Sequence, residues 1–246
     1  MEFYNHLTFI LFVFFCASFV RSAFGFGSAL LAMPLLLLFL PPKSAAPLLT
    51  MVELSMGIII LITRWRQIAF KQLSQLLASA LIGIPLGIFC LKNASNQFIR
   101  PLLAGSILLF VVTNSLVKKK LIIKNKALTF LTGIISGFLG GVGNISGPPI
   151  VIYASLKGWN PTIFMATLQG HFLITGAFIF IGHGISGLWN QSMFVTWLVA
   201  TPVVIVASLL GNKLNMSLSQ EKFYLIINGL LFILAIFILI QSLGTI

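Results

Sequence analysis

Long apolar runs, separated by short polar or basic connections, cover almost the whole chain. Ten runs can be distinguished, at about 3–22, 28–40, 47–63, 70–91, 98–117, 127–142, 148–157, 163–182, 192–210 and 222–242. A helix needs about 20 apolar residues to cross a bilayer, and most of the runs are long enough. The pattern predicts an all-α integral membrane protein, a polytopic helical bundle.

Two of the runs are too short to cross. At roughly 1.5 Å per residue, the run 28–40 extends about 20 Å and the run 148–157 about 15 Å, whereas the hydrocarbon core is about 30 Å thick. Each short run follows a glycine-rich break, GFG at 25–27 and GGVGNISGPP at 140–149. We expect two broken hairpins that enter the membrane from opposite faces and meet near its midplane.

Composition supports a membrane protein and excludes a soluble enzyme, a disordered chain and a collagen-like chain. The 246 residues are 59% hydrophobic and 7% charged, against roughly 45–50% and 25% in soluble proteins. The net charge of +12 lies in the connections, where it sets orientation, and does not indicate a nucleic-acid partner. Eleven of the fifteen Lys and Arg residues fall on one side and three on the other. We therefore expect a multi-pass protein of the cell membrane with both termini outside the cytoplasm.

The two halves of the chain resemble each other. Gly25-x-Gly27 recurs as Gly141-x-Gly143, and the Pro, Met and Leu of 47–54 recur in 161–168. We predict a first membrane repeat at 1–117, a basic cytoplasmic linker at 118–126 and a second repeat at 127–246. Each repeat would contain one broken hairpin and three spanning helices. Because each half holds five apolar runs, an odd number, the second half starts on the opposite side, which gives the inverted repeats common in secondary transporters.

The two breaks form the candidate binding site, since short interrupted segments at matching positions indicate where a transporter binds its substrate. Pro148 suits a first helical position, and Ser146, Asn144 or Ser28 can cap a helix start. A helix N-terminus carries a partial positive charge and free N–H groups that attract anions. The break residues assigned to this site are Gly25, Gly27, Ser28, Gly141, Gly143, Asn144, Ser146, Gly147 and Pro148. The alternative is that the glycines and prolines serve close packing or kinks.

Several other polar residues lie within or beside the apolar runs. An ionisable group inside a membrane is costly and usually functional, so Glu53 is a candidate for proton coupling. His171 is a second candidate, because it titrates near neutral pH. Either side chain can instead serve only helix packing. Candidates for contacts with substrate are Arg21, Tyr153, Thr167 and Gln169, although Arg21 can instead extend to the membrane interface.

The stretch GFLGGVGNISGPPIVIYASLKGWNPTIFMATLQGHFL, residues 137–173, resembles the signature of the TauE/SafE family of sulfite-exporter-like permeases. The stretch FVRSAFGFGSALLAMPLLLLF, residues 19–39, resembles the N-terminal signature of the same family. The resemblance implies a transporter of small sulfur-containing or organic anions, such as sulfite or sulfonates. Met165 and Ser28 depart from the family pattern, which often has Arg and Glu at these positions.

These features predict a secondary transporter, and not an enzyme, that exports a small anion by alternating access with protons as the coupling ion. The sequence contains no HExxH, zinc-spaced Cys pair, GxSxG or nucleotide-binding GK[ST] motif, so we expect neither a metal nor a cofactor. Two alternatives remain open. One is an integral-membrane enzyme that acts on a lipid, and the other is a channel or assembly subunit without a transport cycle.

Overall fold

The computed structural model describes residues 6–64, 70–116, 126–157, 161–214 and 220–243. These ranges contain ten α-helices and no strand, which confirms the predicted all-α class. The helices are α1 (Leu7–Phe24), α2 (Ser28–Leu36), α3 (Pro42–Arg64), α4 (Phe70–Asn93), α5 (Asn96–Leu116), α6 (Lys126–Gly143), α7 (Gly147–Lys157), α8 (Pro161–Ile185), α9 (Gln191–Leu214) and α10 (Gln220–Leu243). Each predicted apolar run corresponds to one helix. The predicted basic linker lies outside the described residues except for Lys126, where α6 begins.

The two short segments are short helices, as predicted. Helix α2 has 9 residues and α7 has 11, so each extends only about 14–17 Å at 1.5 Å per residue. Each follows directly on a longer helix, α1 or α6, after a break of three residues. Neither α2 nor α7 is long enough to cross a bilayer.

The break between α1 and α2 depends on glycine. Gly25 and Gly27 have φ angles of 84° and 96°, in the left-handed region where a side chain is strained. The N–H of Gly25 donates to the carbonyl of Arg21 over 2.6 Å and closes the last turn of α1. The chain then turns at Phe26 and begins α2 at Ser28.

The second break lies three residues later than its glycines predict. Gly141 and Gly143 belong to the last turn of α6, so the prediction that they form the break is wrong. The left-handed residue is Asn144, with φ 58°, and its N–H donates to the carbonyl of Gly140 over 2.7 Å. Asn tolerates this conformation better than other side chains do, which is why the break can begin without a glycine.

Glycines bring α4 and α6 into backbone contact. A Cβ atom on Gly83 or Gly87 would collide with the backbone of α6, and one on Gly137 or Gly141 would collide with the backbone of α4. Small residues permit this close approach between membrane helices, where packing rather than the hydrophobic effect holds helices together. Gly141 therefore serves helix packing, the alternative that the sequence left open.

The helix contacts between the two halves of the chain are arranged symmetrically. Helix α4 packs on α6 as α9 packs on α1, and α2 packs on α10 as α7 packs on α5. Helices α3 and α8 pack directly on each other, and so do α5 and α10. Each of these contacts maps onto another, or onto itself, when α1–α5 are exchanged with α6–α10. This is the pattern expected of two symmetry-related repeats, whose opposite orientation in the membrane remains a prediction.

The distribution of polar and apolar side chains is that of a membrane protein. Five helical stretches in the described residues are long and apolar enough to span a bilayer, at Leu7–Phe24, Leu73–Asn93, Asn96–Thr113, Thr167–Ile185 and Gln191–Lys213. Large apolar side chains face outward on these and other helices, Phe89 and Ile233 being 69% and 65% exposed. Charged and polar side chains such as Arg21, Glu53 and His171 are instead buried in the bundle.

Candidate functional site

The starts of α2 and α7 line the same cavity between the two halves. Its wall consists of the first residues of both short helices, the residues of the second break, and one side chain each from α3 and α8. The lining residues are Gly27, Ser28, Ala29, Leu30, Glu53, Asn144, Ile145, Ser146, Gly147, Pro148 and Phe172. The cavity measures about 30 Å³, enough for one or two water molecules. The cavity is therefore small in this conformation.

Eight of the eleven lining residues form pairs that are 119 positions apart in the chain. Gly27 pairs with Ser146, Ser28 with Gly147, Ala29 with Pro148, and Glu53 with Phe172. The contact between α3 and α8 follows the same spacing, since Gly57 lies against Leu173 and Gly176 lies against Leu54. This spacing differs from those of the recurring Gly and Pro, Met and Leu positions in the sequence, which are 116 and 114. At the cavity the counterpart of Glu53 is Phe172.

The starts of the short helices follow the prediction only in part, since Ser146 directly precedes α7, at the position predicted for a cap. Gly27 is the N-cap of α2 and makes no side-chain cap, and Ser28 is the first helical residue instead of the cap. Helix α7 begins at Gly147, so Pro148 is its second residue instead of its first. Asn144 ends α6 instead of capping α7. The cavity therefore faces helix starts whose N–H groups have no partner within the helix.

The two helix starts differ in the number of donors they offer. Ser28, Ala29 and Leu30 each carry a backbone N–H, whereas Pro148 and Pro149 have none. Of the first three residues of α7, Gly147 alone supplies an N–H group. Backbone donors to a bound anion would therefore come mainly from α2. The second half contributes the side chains of Asn144 and Ser146 and the dipole of α7.

Arg21 forms a buried network beside the cavity. Its guanidinium makes an ion pair with the Glu53 carboxylate and also donates to the Glu53 carbonyl over 3.3 Å. The Oε1 atom of Gln169, on α8, accepts from Arg21 Nε over 3.3 Å and from Nη2 over 2.9 Å. The amide nitrogen of Gln169 donates in turn to the carbonyl of Gly25. One network thus joins α1, α3 and α8 to the first break.

Arg21 does not line the cavity but contacts two residues that do, Glu53 and Phe172. Its side chain is 1% exposed, and its guanidinium carbon lies 5.7 Å from the centre of the Phe172 ring, which faces the cavity. The other oxygen of Glu53, Oε1, has no hydrogen-bond partner among the described residues. The cavity that was predicted to hold an anion is therefore lined by the carboxyl-bearing residue Glu53. The guanidinium of Arg21 lies next to the lining residues, against Glu53 and Phe172.

His171 lies behind the second break. Its Nε2 is 3.1 Å from the hydroxyl of Ser136, and that hydroxyl donates to the carbonyl of Ser146 over 2.8 Å. The imidazole is fully buried and does not line the cavity. His171 is thus placed to position the start of α7 rather than to contact a solute.

The remaining predicted site residues lie away from the cavity lining. Tyr153 shares a 2.6 Å hydrogen bond with Thr129 of α6, Thr167 is buried within α8, and a Cβ on Gly143 would meet Leu103 of α5. Sequence reasoning missed Phe172, the aromatic neighbour of His171 that lines the cavity. The 119-residue spacing that makes Phe172 the counterpart of Glu53 is evident only from the cavity, so the sequence offered no signal for it.

The fold is an all-helical bundle with an apolar exterior and a buried ion pair, and its two short helices start at one cavity. These features define a polytopic membrane protein. The family model described as Sulfite exporter TauE/SafE matches residues 10–238. The chain is similar to the probable sulfite/organosulfonate exporter TauE of Cupriavidus necator, being 21% identical over 196 residues that cover 78% of this chain and 77% of the relative. No solved structure matches. The chain belongs to the TauE/SafE family of sulfite exporters, and it is a membrane transporter of that class.

Proposed function

We propose that the protein is a secondary transporter that exports sulfite or a related organosulfonate across the cell membrane by alternating access. The observation that carries this proposal is that both α2 and α7 begin at one shared cavity. The relative from Cupriavidus necator, described as a sulfite/organosulfonate exporter, supports this substrate class. The anion would lie between the two helix starts.

Hydrogen-bond donors of the right kind surround this position. The anion oxygens would accept from the backbone N–H groups of Ser28, Ala29 and Leu30, from the hydroxyl of Ser146 and from the side-chain amide of Asn144. A hydrogen bond to a charged group contributes roughly 1.5–3 kcal/mol. Two helix dipoles directed at one point add a positive potential without a side-chain cation in the wall.

Alternating access would move one repeat against the other. The exchange-symmetric helix packing supports a cycle in which the site opens to each side in turn. In this proposal the repeats at 1–117 and 127–246 are inverted. The basic linker at 118–126 faces the cytoplasm, and both termini lie on the other side.

Protons are the proposed coupling ion, and Glu53 is the proposed carrier. Glu53 lines the cavity and has one unpartnered carboxylate oxygen, so a bound anion would directly affect whether Glu53 holds a proton. The other candidate, His171, lies one layer behind Ser146 and bonds to Ser136, so we assign it a positioning role.

Flux measurements in proteoliposomes test the proposal. Purified protein is reconstituted, and uptake of radiolabelled sulfite and of simple sulfonates is followed with and without a pH gradient. A secondary transporter gives saturable flux that the gradient changes. Conductive flux that does not saturate would contradict the proposal and favour a channel, and the absence of flux for every anion would refute transport.

Two variants test the position of the anion. Asn144→Gly removes the amide while glycine keeps the left-handed backbone, and Ser146→Ala removes the hydroxyl. Each is expected to raise the KM for sulfite about tenfold to a hundredfold, the equivalent of roughly 1.5–3 kcal/mol. Ser106→Ala is the matched control, because that hydroxyl donates to the Leu103 carbonyl within α5. Unchanged KM in both folded variants would place the anion elsewhere.

A further inference from the structure

Glu53 places a carboxylate in the cavity to which the two helix starts contribute positive potential. Its carboxylate is paired with Arg21 on one side and lines the cavity in front of the starts of α2 and α7 on the other. The residue is 8% exposed, so water provides little screening. The cavity wall thus includes a carboxyl group of the protein itself.

A solute anion in this cavity would add a negative charge beside that of the Glu53 carboxylate. Arg21 and Glu53 together are neutral, and a sulfite or sulfonate at the helix starts would lie beside Glu53, which lines the same cavity. Like charges at close range in a buried site repel strongly, and the helix starts supply only partial positive charge. Protonation of Glu53 removes this repulsion. The charge of Arg21 is then no longer neutralised by Glu53 and can attract the anion across the Phe172 ring.

We propose that the Glu53 carboxylate is a resident counter-anion that competes with the transported anion for the same positive groups, so that each anion binds together with one proton taken up by Glu53. This inference rests on the proposed function, because it assumes that the anion binds at the two helix starts. The proton comes from water and adds to the carboxylate, and no other group changes its protonation. By linkage, protonation raises the affinity for the anion as much as the anion favours protonation.

The charged neighbours of Glu53 among the described residues are few. Arg21, from α1, is the charged side chain that contacts it, and Gln169 of α8 contacts Arg21 rather than Glu53. Other titratable side chains lie on the described parts of helices that pack against α3, and none of them is among the described contacts of Glu53. They are Cys16, Cys90, Lys92, Arg100, His171, His183 and Lys213.

The test compares the pH dependence of anion binding in two proteins. The Kd for sulfite is measured by calorimetry on purified protein in nanodiscs between about pH 5.5 and 8.5, for the wild type and for Glu53→Gln. Sulfite itself titrates in this range, but the ratio of the two Kd values cancels that contribution. The expected ratio, wild type over variant, rises with pH and approaches tenfold per pH unit, the slope for one linked proton. Glu221→Gln, which removes the same charge at the start of α10, should behave as the wild type.

A ratio that stays flat with pH would overturn the inference. If Glu53→Gln does not fold, proton uptake by the wild type decides instead, because methanesulfonate is permanently ionised and any proton taken up on its binding belongs to the protein. About one proton per methanesulfonate is expected, and none would overturn the inference. Failure of the proposed function would differ, since the wild type would then neither bind nor transport sulfite at any pH.

Discussion

Replacing Arg21 by methionine removes the guanidinium and keeps an unbranched side chain that can pack in the same space. The change leaves Glu53 without its ionic partner in a region where Arg21 is 1% exposed and the Glu53 side chain is 10% exposed. It also removes the donors to the Oε1 atom of Gln169. The folded bundle must then either keep an unpaired carboxylate or protonate it.

The expected loss is large for a single substitution. Breaking a buried ion pair by removing one partner costs roughly 3–5 kcal/mol, whereas ordinary hydrogen bonds between membrane helices average about 0.6 kcal/mol. We expect Arg21→Met to lower the free energy of unfolding by about 3–5 kcal/mol at pH 8. The loss should shrink as the pH falls, because a lone buried carboxyl can take up a proton and become neutral.

The double variant Arg21→Met/Glu53→Leu should recover most of this loss, because both charges are then absent. Unfolding in mixed micelles with increasing SDS, followed by tryptophan fluorescence, measures each free energy. Arg100→Met is the matched control, since Arg100 donates to Gln241 over 3.2 Å in a partly buried place and has no described acidic partner. Equal losses for Arg21→Met and Arg100→Met, or a double variant no more stable than Arg21→Met, would refute the buried ion pair.

Two further predictions concern helix contacts. Gly83→Ala should lower the free energy of unfolding by roughly 1–3 kcal/mol through overpacking against α6, whereas Gly105→Ala, with open space around it, should be neutral or stabilise by up to about 1 kcal/mol. Thermal unfolding in detergent measures both variants, and equal effects would contradict the close α4–α6 contact. Gln169→Leu should lower the free energy of unfolding by about 1–3 kcal/mol and slow sulfite flux, because the Gly25 carbonyl at the first break loses its donor. Unchanged flux and stability would show that this hydrogen bond does not hold the break in place.

The two broken helices could be predicted because their signals are local. A run too short for the bilayer and a glycine that permits positive φ both follow from the sequence at 25–36 and 140–157. The exact position of the second break could not be predicted, because glycine also serves helix packing. Gly141 and Gly143 lie inside α6, and Asn144 adopts the left-handed conformation instead.

The partners of the buried polar residues could not be predicted, because they are distant in the chain. Arg21 and Gln169 are 148 residues apart, and their contact depends on how α1 packs near α8. The repeat spacing near the cavity was also missed, because Gly and Leu matches recur by chance in apolar sequence. The 119-residue pairing of Glu53 with Phe172 becomes evident only from the cavity that both residues line.

The central claim is that one anion lies between the starts of α2 and α7. Ser28→Cys and Ser146→Cys, each made with Cys16 and Cys90 replaced by serine, place a thiol at either helix start. The rate of modification by an anionic methanethiosulfonate reagent is then measured with increasing amounts of a sulfonate that competes with sulfite transport. The account predicts that the sulfonate protects both thiols with the same half-maximal concentration. Protection of one thiol alone, or of neither, would contradict it.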